Sequence, residues 1–85
     1  MRVFEYTLVN EYGLHAKPAV DLIRIAGKYR CKTFLVKENR RADISKYFVL
    51  MAIGARRGDT VRFETEGPDE NAAIEELAEY IKANL

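Results

Sequence analysis

The chain has one histidine, and the residues around it suggest a chemistry for it. It stands in the string Gly13-Leu14-His15-Ala16-Lys17-Pro18-Ala19. Proline fits an α-helix only in the first turn, where its missing N–H is not needed and its fixed φ already suits the helix. Pro18 therefore puts a helix start just after Leu14, with His15 at or beside the N-cap. Such a terminus presents unpaired backbone N–H groups and a partial positive charge. Oxyanions bind there. A phosphoryl group on the His15 ring would set its oxygens against the N–H groups of Ala16 and Lys17, with the Lys17 ammonium close by. The neutral imidazole is the form that attacks phosphorus. The spacing suits a side chain that accepts a phosphoryl group, holds it briefly and passes it on. Each residue also has a plainer reading. A histidine beside a helix is ordinarily a cap or surface residue, a single lysine a solvated side chain, and a proline a helix-start signal.

The elements that must position this string follow from periodicity. Residues 2–9 (RVFEYTLV) are rich in β-branched and aromatic types and predict a strand. Residues 10–13 form a loop in which Gly13 meets a need for positive φ. Ala19, Val20, Ile23 and Ala26 recur at helical spacing, and Gly27 supplies a stop. Residues 32–36 predict a second strand, Glu38-Asn39 a tight turn on Asn39, and 40–43 a short charged edge strand. Ser45 precedes the apolar run 47–53, and Gly54 follows it, which predicts a short helix capped by Ser45. Residues 59–66 alternate, with Val61, Phe63 and Thr65 on one face and Arg62, Glu64 and Glu66 on the solvated one. Asp69 caps a last helix whose inner face is Ile74, Leu77, Ala78, Ile81 and Leu85. The order β-α-β-β-α-β-α, with helices on one face of four strands, is a two-layer α+β architecture.

Composition narrows the function classes. Eighty-five residues, 48% hydrophobic and 32% charged, predict one small globular domain over residues 1–85. Fourteen basic and thirteen acidic residues leave a net charge of +1, too little for a nucleic-acid footprint from total charge. Aromatic and basic residues do not interleave on one strand as a single-strand-binding sheet requires. With one histidine and one cysteine, Cys31, neither an internal disulfide nor a Cys/His metal cluster can form. No cofactor or metal is expected, and Cys31 is expected to be a small buried residue. No apolar run approaches the roughly 18 residues of a membrane span. The first residues lack the apolar block of a signal peptide. The expectation is a cytoplasmic monomer without membrane or nucleic-acid partners.

The string GLHAKPA closely resembles the active-site signature of the HPr family, usually read GLHARPA. These are the histidine phosphocarriers of the bacterial phosphoenolpyruvate-dependent sugar phosphotransferase system. The resemblance runs along essentially the whole chain without an obvious gap. Its element order agrees, Gly54 and Gly58 flank a turn of familiar length, and Gly67 to Glu70 looks like the family's approach to its last helix. The resemblance implies an open-faced β-sandwich, a four-stranded antiparallel sheet with three helices on one face. It implies that Enzyme I, charged by phosphoenolpyruvate, phosphorylates His15 on Nδ1, and that the group passes to a sugar-specific Enzyme IIA domain. A carrier modified in this way is not an enzyme in the strict sense. The implied partner face joins the start of the first helix to the middle helix, here Ala16, Val20, Tyr47, Phe48 and Met51. Lys17, Arg24, Lys46, Arg56 and Arg57 would ring it and favour acidic partners. Tyr47, Phe48 and Met51 are expected to be partly exposed, Leu50 and Ile53 core.

Two residues depart from the family. Lys17 replaces an arginine, a point charge in place of a planar fork. Many relatives from low-GC Gram-positive bacteria carry a regulatory serine at the start of the middle helix. The gapless alignment puts Lys46 there, with Ser45 one residue earlier. Ser45 is therefore a candidate regulatory site, although the simpler role is a helix cap. These departures keep an alternative open: a specialised or regulatory paralogue, in nitrogen-related or other signalling, acting through protein–protein binding. A third reading is a small interaction module whose histidine is idle.

Overall fold

A computed structural model describes all residues from 1 to 85. The chain runs β1 (Arg2–Thr7), α1 (Ala16–Ala26), β2 (Lys32–Lys37), β3 (Arg40–Asp43), α2 (Tyr47–Ala52), β4 (Thr60–Glu66) and α3 (Glu70–Asn84). The strands form one antiparallel sheet in the order β1-β4-β2-β3, with three helices on one face. Alternation along the strands sets the inner face. Leu35 pairs with Phe63 and Thr33 with Thr65, and all four are buried. Leu22 of α1, Leu50 of α2, and Leu77 and Ile81 of α3 close over them. Removing such side chains from water is the main stabilising term of a domain this small.

Several local expectations change. β1 ends at Thr7 instead of Val9, because Leu8 bonds to the turn before β4 and Val9 turns to the chain end. The Leu8 N–H donates to the Asp59 carbonyl at 2.9 Å, and the Leu8 carbonyl accepts from Gly58 at 2.8 Å. The N–H groups of Val9 and Asn10 both donate to the Leu85 carbonyl, at 2.7 and 2.8 Å. In the β2–β3 turn the positive φ falls on Glu38 (56°) and not on Asn39. Glu64 points to the open face yet is buried, because Arg41 and Arg62 fold over it at 3.2 and 2.9 Å. The Arg41 guanidinium also lies 3.6 Å from the centre of the Phe34 ring. Cys31 is only half-buried, its Sγ 3.8 Å from the Thr33 hydroxyl.

One predicted cap is displaced, and the other keeps its place without a capping side-chain bond. Ser45 is not the N-cap of α2. Its hydroxyl and its N–H both turn back to Asp43 Oδ1, at 2.8 and 2.9 Å, and Lys46 occupies the cap without a side-chain bond. Asp69 does sit at the N-cap of α3, but its carboxylate accepts the Arg30 N–H at 2.7 Å. Glu70 takes over the local work by accepting the Gly67 N–H at 3.1 Å. Gly67 has φ 146°, and a Cβ there would lie 2.8 Å from the Arg30 carbonyl oxygen, so only glycine fits this turn.

Candidate functional site

His15 is the N-cap of α1, in extended backbone conformation (φ −109°, ψ −175°). Its carbonyl accepts the Ala19 N–H at 3.1 Å, which starts the helix. Pro18 offers no N–H, and the amides of Ala16 and Lys17 have no hydrogen-bond partner. Two free donors therefore flank a half-buried imidazole at the positive end of α1. No side chain in the first turn is acidic, so nothing there opposes an anion.

The loop before His15 is held from three sides. Tyr12 N–H donates to the Asn10 side chain at 2.8 Å, and Gly13 N–H to the Asn10 carbonyl at 3.0 Å. Leu14 N–H donates to the Ala55 carbonyl at 3.0 Å, which ties this loop to the one after α2. Gly13 is buried with φ 62°, and a Cβ on it would stand 2.5 Å from the Ala55 carbonyl oxygen. His15 Nδ1 lies 3.1 Å from the Gly13 carbonyl oxygen. A carbonyl only accepts, so this is a hydrogen bond when Nδ1 carries the ring proton and Nε2 the free lone pair. Tyr12, largely exposed, meets the imidazole edge-on with ring centres 5.6 Å apart.

Lys17 lies elsewhere than expected. Its ammonium turns down the helix and donates to Asp21 Oδ2 at 2.7 Å. Asp21 also accepts from the Tyr80 hydroxyl at 2.6 Å and, through Oδ1, from Arg24 at 3.3 Å. The hydrogen bond from Lys17, then that from Tyr80, holds the Asp21 carboxyl below the ordinary carboxylate range despite burial. Burial first, and then the bond to Asp21, pushes the Tyr80 phenol up to about 12. Sequence reasoning did not single out Asp21, Tyr80 or Tyr12. The Lys17–Asp21 spacing of four was a legible signal, whereas Tyr80 reaches the site only through α1–α3 packing.

Of the proposed partner-face residues, Phe48 is 84% exposed and Val20 45%. Tyr47 and Met51 are half-buried against the core, while Leu50 and Ile53 are within it. Tyr47 and Phe48 meet edge-on, with ring centres 5.2 Å apart. Helix α1 packs on α2, so Val20 and Phe48 lie on adjoining elements. Ala16, Arg24, Ser45, Lys46, Arg56 and Arg57 are all exposed. No group of three His, Cys, Asp or Glu residues could hold a metal, and no helix is long and apolar enough to cross a membrane.

An open-faced α+β sandwich whose first helix is capped by a histidine, with two free amides beside it, defines a class of small histidine-bearing domains. The sequence family described as "PTS HPr component phosphorylation site" matches residues 3–83, and the chain belongs to that HPr family. The phosphocarrier protein HPr of Cupriavidus necator is 33% identical over 75 residues, covering 88% of this chain and 84% of that one. The HPr-like protein Crh of Bacillus subtilis is 30% identical over 73 residues, covering 86% of each. The crystal structure of HPr-C-His from Thermoanaerobacter tengcongensis superposes with a TM-score of 0.91 at 29% identity, covering 98% of this chain and 93% of the other. Membership brings with it the general role of a phosphocarrier in the phosphotransferase system.

Proposed function

We propose that His15 is the phosphoryl acceptor and donor, charged by Enzyme I and discharged to Enzyme IIA domains in sugar uptake. The supporting observation is the pair of free N–H groups, Ala16 and Lys17, at the helix end that His15 caps. In each transfer one N–P bond breaks on the donor histidine and one forms on the acceptor ring. The amides would stabilise the negative oxygens through charge-assisted bonds. The family resemblance assigns the reaction to Nδ1. For that, the ring must leave the Gly13 carbonyl and carry its proton on Nε2, so that a lone pair on Nδ1 faces the incoming phosphorus. Val20, Phe48 and the half-buried Tyr47 and Met51 would form the docking surface, with the exposed cations of α1 and of the loop after α2 around them. The domain would act as a monomer, with Ser45 a candidate regulatory site.

The test is a reconstituted relay of Enzyme I, phosphoenolpyruvate, magnesium, the protein and an Enzyme IIA domain. Wild type should move phosphoryl groups to Enzyme IIA and His15→Ala should not. Acid-labile phosphate retained on His15→Ala would remove His15 from the role. A second reading, a specialised or regulatory relative, is favoured by Lys17 in place of arginine, by Lys46 at the helix cap and by the likeness to Crh. Charging by a cognate Enzyme I alone, with no transfer to sugar-specific Enzyme IIA domains, would select it.

A further inference from the structure

We propose that Asp21 is a positioning residue: it holds the Lys17 ammonium one turn down α1, and a phosphoryl group on His15 competes with it for that cation. The inference deepens the carrier reading and rests on it. The two partners differ in freedom. Asp21 is 8% exposed and fixed by three donors, whereas the Lys17 side chain is 79% exposed and makes no other bond. Opening the pair does not orphan the carboxylate, because Arg24 and Tyr80 still donate to it. Lys17 itself lies in the first turn of α1, where a cation runs against the helix dipole. Asp21 offsets that placement without drawing the backbone away from His15.

A phosphoryl group on His15 changes the balance. It carries more negative charge than a carboxylate, and the free amides of Ala16 and Lys17 would gather it at the base of the Lys17 side chain. Lys17 then has two anionic partners, one on each side of its own Cα. Linkage makes the competition reciprocal: whatever Asp21 withholds from the phosphoryl group, the phosphoryl group withholds from Asp21. Asp21 would thereby set how strongly Lys17 stabilises the charged carrier. The pairing arises from this chain's own Lys17, Asp21, Arg24 and Tyr80.

Four proteins test it: wild type, Asp21→Asn, Lys17→Gln and the double variant. Each is equilibrated with catalytic Enzyme I at one fixed ratio of phosphoenolpyruvate to pyruvate, and the phosphorylated fraction is read by intact mass. Asp21→Asn should raise the ratio of phosphorylated to free protein roughly two- to fivefold, the range for an exposed ion pair. In the Lys17→Gln background the same change should have no effect. An equal rise in both backgrounds would show that Asp21 acts by its own charge, and would overturn the positioning role. No rise, with wild type normally charged, would overturn it and leave the carrier reading intact. Failure of wild type to accept any phosphoryl group would sink the carrier reading and this inference with it. A measurement on wild type alone guards against misfolded variants. The carboxyl carbon resonance of Asp21 should move when His15 is phosphorylated, and an unmoved resonance contradicts the competition.

Discussion

At the residue scale, the site depends on two groups with no hydrogen-bonding side chain: the buried Gly13 and the Pro18 ring. Gly13 lets the loop pass against the Ala55 carbonyl while holding φ at 62°, and Pro18 leaves only Ala16 and Lys17 as free donors. Gly13→Ala should cost more than about 2 kcal/mol, from left-handed backbone strain plus overlap with a neighbouring carbonyl. Denaturant unfolding measures it, and an unchanged midpoint would mean that the loop relaxes freely. The position of His15 was legible in the sequence because proline has so few places in a helix. The direction of Lys17 was not. Its ammonium could serve the helix end or Asp21: the spacing of four puts Asp21 within reach, but the Tyr80 hydroxyl that also holds this carboxylate comes from 59 residues beyond Asp21 and has no local signal.

At the element scale, α2 is the weakest piece. It has six residues, a lysine cap without a side-chain bond, and neither an acidic first turn nor a basic last turn. Lys46→Ser should stabilise the protein by about 0.5–1 kcal/mol by supplying the missing cap. A lower melting temperature would show that Lys46 makes a compensating contact. Phe48→Ala should change stability by no more than about 0.5 kcal/mol, since the ring is exposed. It should slow charging by Enzyme I, and unaltered charging kinetics would take Phe48 out of the docking surface. The apolar run 47–53 predicted the helix correctly, but Ser45 misled. A serine before such a run signals a cap only if the helix starts at the next residue; here α2 starts at Tyr47, so Lys46 takes the cap and Ser45, one residue too early, turns back to Asp43. Helix and strand identities were legible because burial imposes a period. The ends were not, because hydrogen bonds to distant carbonyls such as those of Asp59 and Leu85 decide them.

At the scale of the whole molecule, ionic contacts tie elements together and give stability a pH window. Asp59 is held low by Lys37 and by the Arg56 N–H, and Glu76 by Lys28 and by the Tyr29 hydroxyl. Asp21 shares this depression. A carboxyl lowered in the folded state contributes stability that is full above about pH 4 and is lost as pH falls below it. Tyr80 works in the opposite direction. Its neutral form is favoured up to about 12, so its contribution is present below about pH 10 and is lost as pH climbs from there to about 12. Unfolding midpoints should be flat between roughly pH 5 and 9 and fall on both sides, and ultraviolet titration should find the Tyr80 phenol ionising near 12, with Tyr29 also late because its hydroxyl donates to Glu76. A Tyr80→Phe variant that loses none of the late-ionising phenols would contradict the assignment. The α+β sandwich as a whole was legible, since helical and strand periods alternate along the chain in an order with few solutions. The Arg41–Glu64–Arg62 cluster on its open face was legible only in part: alternation puts Arg62 and Glu64 side by side on β4 but marks them as solvated, and only cross-strand register brings Arg41 over Glu64 to bury it. The decisive measurement is intact mass after incubation with Enzyme I, magnesium and phosphoenolpyruvate, beside a His15→Ala control. One acid-labile phosphoryl group on the wild type, absent from the control, is the predicted result. No addition to a folded protein by an active Enzyme I, or the same addition to the control, would contradict it.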